Sequence, residues 1–275
     1  MTLETAINRT LQSRFQQVDS QTDPSQFFSY LDRLAQLPGI ERSRGAGLHF
    51  LQSLERGRIA EVGCGVGTMA ERIASAMPES VHVKGWDKSA AMIKEAQARY
   101  GSVPRLSFGT GSFDSVEPSS LEALWLERVL VHTSEPEEAL ARCIRGLKPN
   151  GKIVVLEPDW GTLVINGVEE GLQSKWLLDL CGFQVRGTVG RSLPVLFRKN
   201  SIRVDSLQGF VIPFASLSEL NQIINIDWSL QTATARGTTT KAETDLLLTQ
   251  LTSADASDEL CGMFVLAGAF GTLVR

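Results

Sequence analysis

The sequence predicts an α/β protein with a doubly wound, mainly parallel sheet. Strand and helix patterns alternate five times between residues 57 and 156. A glycine-rich turn joins the first strand to the first helix of this alternation, as in doubly wound folds that bind a nucleotide. Strands that alternate with helices form a parallel sheet covered by helices on both faces. We therefore expect a ligand at the carboxyl ends of the strands.

Composition sets the limits of this prediction. The 275 residues suffice for one large domain, and 43% of them are hydrophobic. The net charge is −4 and no basic cluster occurs, so a nucleic-acid partner is not expected. The longest apolar run, residues 262–274, is too short to span a membrane, and residues 1–4 lack a signal-peptide pattern. We expect a cytoplasmic protein without a membrane span.

The cysteine and histidine residues give no metal-binding pattern. Cys64, Cys143, Cys181 and Cys261 form no C-x-x-C pair, and the three histidines lie far apart. Structural zinc sites need closely spaced ligands of these types. We therefore expect no metal and four reduced cysteines.

Residues 1–56 show helical patterns and no strand pattern. A first helix has Phe15 near its end, and a second covers residues 27–34 with Asp23 as cap. Residues 37–39 are predicted to end the second helix, and a third helix is expected at 42–54. This layer either packs on the sheet or covers a ligand. The first helix also offers an apolar side for a second copy of the chain, which would form a homo-oligomer.

The glycine-rich turn carries Gly63, Gly65 and Gly67 at alternate positions after a short apolar strand. A helix pattern at 69–76 follows at once. Glycine permits positive φ and leaves the backbone open to a ligand, and a helix start adds free N–H groups. The turn is therefore a candidate anion or nucleotide site.

The second strand supports this interpretation. Residues 81–87 alternate between apolar and polar and end in Asp87. An acid at this place holds the ribose of a nucleotide in doubly wound folds. A helix cap is the other role for Asp87, but Ser89 is the better cap for the helix at 90–100.

The spacing of the turn distinguishes two cofactors. The dinucleotide fingerprint G-x-G-x-x-G would place a glycine where Thr68 stands. The observed pattern, Glu61-x-Gly63-x-Gly65-x-Gly67, resembles motif I of class I S-adenosylmethionine (AdoMet)-dependent methyltransferases. Three further runs, at 127–132, 147–151 and 157–160, resemble the UbiE/COQ5-like (type 11) small-molecule branch. The resemblance covers residues 55–165 well and the remainder loosely.

The resemblance implies a Rossmann-like methyltransferase sheet with an antiparallel edge hairpin. It also implies an N-terminal helical lid at 1–56, an AdoMet-binding core at 57–160, and pocket helices with the last strands at 161–275. The third part is continuous with the core. The late strand patterns at 205–214 and 263–274 fit the hairpin, and helical patterns at 217–230 and 239–251 lie between them as an inserted segment.

The resemblance also assigns candidate site residues. The family often has an aspartate for the adenine amino group where Ser112 stands, so a backbone N–H at Ser112 or Phe113 could meet the ring instead. His132 is the candidate catalytic base, with packing as its alternative role. The residues expected to bind the cofactor are Glu61, Gly63, Cys64, Gly65, Gly67, Asp87, Lys88, Met92, Gly111, Ser112, Phe113, Glu127 and Arg128. Those expected to bind the substrate are Tyr30, His132, Asp159 and Trp160.

The expected function is methyl transfer from AdoMet to a small, largely apolar metabolite in small-molecule or secondary metabolism. The acceptor atom is oxygen, nitrogen or carbon. The [D/N]-P-P-[Y/F] motif of nucleic-acid amino-methyltransferases does not follow the fourth strand. The alternatives are an AdoMet-dependent enzyme whose methylated product rearranges further, and an NAD-dependent oxidoreductase on the same fold.

Overall fold

The computed structural model describes residues 14–183 and 186–274. Short 3₁₀ segments cover Arg14–Ser20, Leu130–His132 and Val189–Ser192. The helices are α1 (Ser25–Ala35), α2 (Pro38–Leu51), α3 (Thr68–Ala76), α4 (Ala90–Tyr100), α5 (Pro136–Ile144), α6 (Glu170–Phe183), α7 (Leu193–Lys199), α8 (Leu217–Ile223), α9 (Ile226–Ala235) and α10 (Lys241–Ala256).

The strands form one sheet in the order β3-β2-β1-β4-β5-β7-β6. The first five run parallel, and β7 is antiparallel to both β5 and β6. This arrangement confirms the predicted α/β fold with an antiparallel hairpin at one edge. The strands are β1 (Gly57–Val62), β2 (Val81–Asp87), β3 (Leu106–Thr110), β4 (Leu121–Glu127), β5 (Leu147–Ile165), β6 (Ile202–Phe214) and β7 (Gly262–Leu273).

The central strands form the core because helices cover both of their faces. Leu124, Trp125 and Leu126 follow one another along β4 and are all fully buried. Such a continuous apolar run is typical of a parallel strand buried on both sides. Strand order reverses between β1 and β4, and ligands bind in doubly wound sheets at this reversal.

Strand β5 is much longer than its local sequence suggests. The strand pattern in the sequence ends at residue 156, whereas β5 begins at Leu147 and continues to Ile165. Strand β7 pairs with β5 from Lys152↔Thr272 to Ile165↔Gly262. These partners lie about a hundred residues away, so no local pattern reveals them. Because β5 runs across residue 160, it links the predicted core to the predicted third part, and the division itself stays a prediction.

The predicted helix at 27–34 lies within α1, with Pro24 rather than Asp23 at its N-cap, whereas the next helix is displaced from its predicted position. Pro38 begins α2 rather than ending α1, and Leu37 before it is extended. Proline suits the first turn of a helix because it lacks an N–H that would be unpaired there anyway. Helix α2 is therefore Pro38–Leu51 and not 42–54. The predicted helix before Phe15 lies mainly outside the described residues.

The helices of the C-terminal third form two groups. Helices α6 and α7 lie between β5 and β6, and α6 was not predicted. Helices α8, α9 and α10 lie between β6 and β7, as expected for the inserted segment. The predicted helix at 217–230 is split, because Asn225 caps a new helix by accepting the N–H of Trp228. Among the described helices, none has the length and apolar character needed to cross a bilayer.

The sequence signals for a helix cap agree with the structure at α4 but not at α5. Ser89 caps α4 as predicted, accepting the N–H of Met92. Ser134 and Glu137 have the spacing of a capping box but do not form one, because Glu135 is the N-cap of α5 and makes no side-chain cap bond.

Gly67→Ala should destabilise the fold. Gly67 has φ +83°, and an added Cβ would lie 2.7 Å from the Phe108 ring. We expect a loss of roughly 1–3 kcal/mol in the free energy of unfolding, measured by urea denaturation. Gly45→Ala is the matched control, because its added Cβ meets nothing within 4 Å. It lies inside α2 and should gain up to about 1 kcal/mol. Equal stabilities for the two variants would contradict the strain at Gly67.

Candidate functional site

A cavity of about 290 Å³ opens at the carboxyl ends of β1, β2 and β4 and beside the middle of β5. All the predicted site residues line it except Gly67 and Asp159. The lining residues that the sequence analysis did not assign to the site are Phe15, Val18, Leu31, Arg44, Val62, Val66, Thr68, Met69, Val129, Val131 and Pro158. The roles of the predicted residues stay predictions, and the geometry below defines what each could do.

The glycine-rich turn forms one wall of the cavity. Gly63 and Gly65 have φ +79° and +52°. The N–H groups of Gly63 and Cys64 both donate to the Trp86 carbonyl, which fixes the turn to β2. Gly67 begins α3 in the left-handed region and packs beneath the turn, away from the cavity. Gly63 and Gly65 therefore present bare main chain to the cavity, whereas Gly67 does not line it.

Glu61, at the carboxyl end of β1, is a buried acid with an unused oxygen. Its residue is 3% exposed, and Oε2 has no hydrogen-bond partner among the described residues. Burial raises the pKa of Glu61 well above its ordinary value, and the nearby charge of Glu127 raises it further. A buried polar atom without a partner is costly and uncommon. A cationic ligand in the cavity would satisfy this oxygen.

Arg44 on α2 and Glu127 on β4 form a buried ion pair beside Glu61. Arg44 Nε donates to Glu127 Oε2 at 2.9 Å, and Nη2 donates to Oε1 at 2.9 Å. Burial opposes ionisation of Glu127, but the charges of Arg44 and Arg128 outweigh it and lower its pKa. The Arg44 guanidinium is thus bound to the Glu127 carboxylate by two hydrogen bonds, and this pair links helix α2 to strand β4.

Asp87, at the end of β2, is partly committed to the backbone. Its Oδ2 accepts the N–H of Gly65 and its Oδ1 accepts the N–H of Ser89, each at 2.9 Å. Burial raises the pKa of Asp87, and these two bonds oppose the rise. Each carboxylate oxygen can accept a second bond. Asp87 therefore shapes the turn and also retains capacity for a ligand hydroxyl.

The loop after β3 offers less than the sequence suggested. The N–H of Ser112 donates to Ser115 Oγ at 2.8 Å, so it is not free to meet a base. The N–H of Gly111 donates to the Asp87 carbonyl. Phe113 lines the cavity and remains the candidate for contact with an aromatic ring.

Glu157 on β5 organises the segment that follows β4. It is fully buried, and Oε1 accepts the N–H groups of Val129 at 2.8 Å and Leu130 at 2.6 Å. Its Oε2 accepts the N–H of Val131 at 3.1 Å. Burial raises the pKa of Glu157 to about 7, although these bonds oppose the rise. One carboxylate thus orients the segment that carries Arg128 and His132.

Phe15, Tyr30 and His132 form an aromatic group in the cavity wall. The Phe15 ring is 5.4 Å from the His132 ring and 5.8 Å from the Tyr30 ring. The Tyr30 hydroxyl donates to the Ile223 carbonyl, so it is held by α8. Burial, with the charges of Arg128 and Lys88, lowers the pKa of His132 to about 3. The imidazole is therefore neutral at ordinary pH and is a weak base.

Successive side chains of β5 point to opposite faces of the sheet, which separates two predicted substrate residues. Pro158 and Trp160 line the cavity, and the Trp160 ring stacks 4.7 Å from Phe264. Asp159 does not line it. Its carboxylate instead pairs with Arg191 at 2.6 and 2.8 Å. Asp159 was assigned to the substrate site because the strand pattern was taken to end at residue 156, so side-chain alternation was not applied beyond it.

The segment Arg14–Ser20 contributes Phe15 and Val18 to the cavity lining and is held in place by Asp19. This carboxylate accepts the N–H groups of Ala90 and Ala91, each at 3.0 Å, and the Ser89 hydroxyl at 2.5 Å. An acid at a helix start also complements the helix dipole. Burial opposes ionisation of Asp19, but these bonds outweigh it and lower its pKa. Phe15 and Val18 are thereby held over the cavity.

Two further observations concern the Cys64 thiol and the metal-ligating side chains. Burial raises the pKa of the Cys64 thiol well above its ordinary value, so this side chain is a weak nucleophile. Within residues 14–183 and 186–274, no group of three or more metal-ligating side chains could hold a metal ion.

Several contributors had no clear sequence signal. Glu157 was noted in its motif, but only the fold shows which N–H groups it accepts. Asp19 lies 71 residues from Ala90, so their bond is not visible in any local pattern. The pairing of Arg44 with Glu127 depends on the position of α2, which local sequence patterns do not show.

Comparisons with known proteins agree with this architecture. The family model described as "Methyltransferase domain" matches residues 59–151, about one third of the chain. An uncharacterised 37.1 kDa protein in transposon TN4556 of Streptomyces fradiae is 27% identical over 76% of this chain and 61% of its own. The ubiquinone/menaquinone biosynthesis C-methyltransferase UbiE of Geotalea daltonii is 26% identical over 47% of this chain and 57% of its own.

A solved structure shows the same fold. A Haemonchus contortus phosphoethanolamine N-methyltransferase 2 in complex with S-adenosyl-L-methionine has a TM-score of 0.58 at 16% identity. The match covers 95% of this chain and 60% of that one. The chain spans less than two thirds of the length of each of these three proteins.

Glu157→Gln should change how stability depends on pH. The folded chain holds a proton on Glu157 up to a pKa of about 7, whereas the ordinary value is 4.5. That stabilisation is complete below pH 4.5 and is lost as the pH rises through 7. The free energy of unfolding of the wild type should therefore fall relative to the variant over this window, by at most about 1.4 kcal/mol per pH unit.

The measurement is urea denaturation of both proteins at a series of pH values. Glu170→Gln, at an exposed position, is the control and should run parallel to the wild type. If Glu157→Gln also runs parallel, Glu157 does not carry the raised pKa.

Proposed function

We propose that this chain, which carries a class I AdoMet-dependent methyltransferase domain, transfers the methyl group of AdoMet to a small-molecule acceptor. The domain assignment rests on the family match and on relatives whose printed names are methyltransferases. The observation that carries the proposal is the cavity beside the glycine-rich turn, where the carboxylates of Glu61 and Asp87 converge.

The residues present fit this cofactor. Glu61 Oε2 is a buried acceptor without a partner, as a ligand ammonium group would require. The bare backbone at Gly63 and Gly65 would receive the amino-acid end. Asp87 retains capacity for a ribose hydroxyl, and Phe113 and Met92 would border the base. AdoMet supplies both the methyl group and its own leaving group when it is bound.

The contribution of the protein is therefore mainly to bind, orient and exclude water. Phe15 and Val18 cover the cavity, and Asp19 holds their segment in place. Glu157 fixes the backbone after β4, so that Arg128 and His132 keep their positions. Holding reactants in line in a covered site supplies much of the rate of such reactions.

The low pKa of His132 changes the role proposed for it. A general base works best with a pKa near the operating pH, and His132 is far below this. We therefore propose that His132 positions the acceptor as a neutral hydrogen-bonding ring. Tyr30 and Trp160 would border the acceptor as apolar walls.

The relatives leave the acceptor open, since their names specify carbon for one and nitrogen for the other. An NAD-dependent oxidoreductase remains the competing function, because doubly wound folds also bind dinucleotides. Calorimetry with AdoMet, S-adenosylhomocysteine (AdoHcy) and NAD tests the proposal. Binding of AdoMet and AdoHcy without NAD is expected, and binding of NAD alone would refute it. Incubation of a metabolite extract with methyl-labelled AdoMet would then identify the product and show whether it rearranges.

Glu61→Gln should separate cofactor binding from folding. Removing a charge that contacts a cation should weaken AdoHcy binding by about 1.5–3 kcal/mol, or roughly tenfold to a hundredfold. The free energy of unfolding should not fall, because the ionised form of Glu61 is already disfavoured by burial. Calorimetry and urea denaturation give the two readouts. Exposed Glu79→Gln is the control for both. Unchanged AdoHcy affinity in Glu61→Gln would remove Glu61 from the site.

His132 should not titrate near neutral pH. Its imidazole signals, identified in NMR spectra by their absence from His132→Gln, should stay constant between about pH 5 and pH 8. A free histidine peptide titrates within this range and provides the reference. A midpoint near the ordinary value would restore His132 as a candidate base.

A further inference from the structure

The cavity holds two hydrogen-bond donors that lack partners. Arg128 Nε and Trp160 Nε1 are buried atoms, and neither has a partner among the described residues. Both residues line the cavity. Native proteins rarely leave buried donors unpaired, since each loses its bonds to water. A ligand that presents hydrogen-bond acceptors would satisfy both.

Arg128 also brings a positive charge that is only weakly neutralised. Its Nη2 is 3.4 Å from Glu127 Oε1, but Glu127 is already bound by two shorter contacts from Arg44. The oxygens of Glu157, the other nearby carboxylate, accept three backbone N–H groups. Lys88 lines the same cavity at its exposed rim. This part of the cavity is therefore suited to negative charge.

The charges of Arg128 and Lys88 also influence titratable side chains elsewhere in the cavity lining. The charges of Arg128 and Lys88 act on His132, and the charge of Arg128 acts on Tyr30. An amine acceptor would place a further cation among them. The residues that line the same cavity include the aromatic rings of Phe15, Tyr30 and Trp160. Planar groups stack favourably on such rings.

We propose that the acceptor is an aromatic anion, a ring carboxylate or phenolate, whose oxygen accepts hydrogen bonds from Arg128 Nε and Trp160 Nε1. This inference rests on the proposed function, whose acceptor it defines. Arg128 is then a residue that determines acceptor specificity, through its side chain. The acceptor remains largely apolar in its ring, in keeping with the aromatic walls.

Matched ligands on one ring system test the charge preference. The probes are 2-naphthoate, 2-naphthamide and 2-naphthylmethylammonium, which are anionic, neutral and cationic. Calorimetry with AdoHcy-saturated protein near neutral pH should show the carboxylate bound about tenfold or more tightly than the amide. The ammonium ligand should bind more weakly than both. Equal binding of carboxylate and amide, preference for the ammonium ligand, or no binding of the carboxylate would overturn the inference.

Substitutions identify the source of the preference. Arg128→Met should abolish the ratio of carboxylate to amide affinity, and Trp160→Phe should reduce it. Arg33→Met is the matched control, since Arg33 also acts on Tyr30 but does not line the cavity. It should retain the ratio. A preference that survives in Arg128→Met would contradict the assignment. Replacing 2-naphthoate with 2-naphthol, and measuring methyl transfer to each, then distinguishes the two oxygen sources.

The cofactor offers the competing explanation, because its own carboxylate could pair with Arg128. AdoHcy carries that carboxylate and 5′-methylthioadenosine does not. If Arg128→Met weakens AdoHcy binding but leaves 5′-methylthioadenosine binding unchanged, Arg128 serves the cofactor and the inference fails. If the wild type does not bind AdoHcy at all, the proposed function itself fails. Normal AdoHcy binding without an anion preference would refute only the acceptor assignment.

Discussion

The site depends on how three buried carboxyl groups are satisfied, two near the ends of β1 and β4 and one in the middle of β5. Glu127 is matched by Arg44, and Glu157 is matched by three backbone N–H groups. Glu61 retains an oxygen without a partner. Unpaired buried charge is so unfavourable that proteins keep it mainly where a ligand or a reaction uses it. A cationic ligand would favour the ionised form of Glu61 and give its Oε2 a partner.

The same neutralisation gives the cavity two different electrostatic environments. The carboxylates of Glu61 and Asp87 lie by the glycine-rich turn, whereas the unpaired donors belong to Arg128 and Trp160. The charge of Arg44 opposes the rise in the pKa of Glu61, but its hydrogen bonds go to Glu127 and leave Glu61 Oε2 without a partner among the described residues. One cavity can therefore offer acceptors to a cationic cofactor and donors to an anionic acceptor.

The sequence was most informative where the structure is local. The turn at Gly63, Gly65 and Gly67, the strand ending in Asp87 and the cap at Ser89 each depend on residues close in the chain. The length of β5 depends on β7, about a hundred residues away, so its local pattern was misleading. Asp159 was misplaced as a consequence, because strand alternation turns it away from the cavity. The roles of Asp19 and Glu157 come from contacts that only the folded chain brings together.

The most direct measurement is a crystal structure of the protein with AdoHcy bound. The account predicts that the ammonium group of the ligand lies within hydrogen-bond distance of Glu61 Oε2, with Arg44 still paired to Glu127. It would be contradicted if the amino-acid end of AdoHcy lay elsewhere and Glu61 Oε2 remained without a partner.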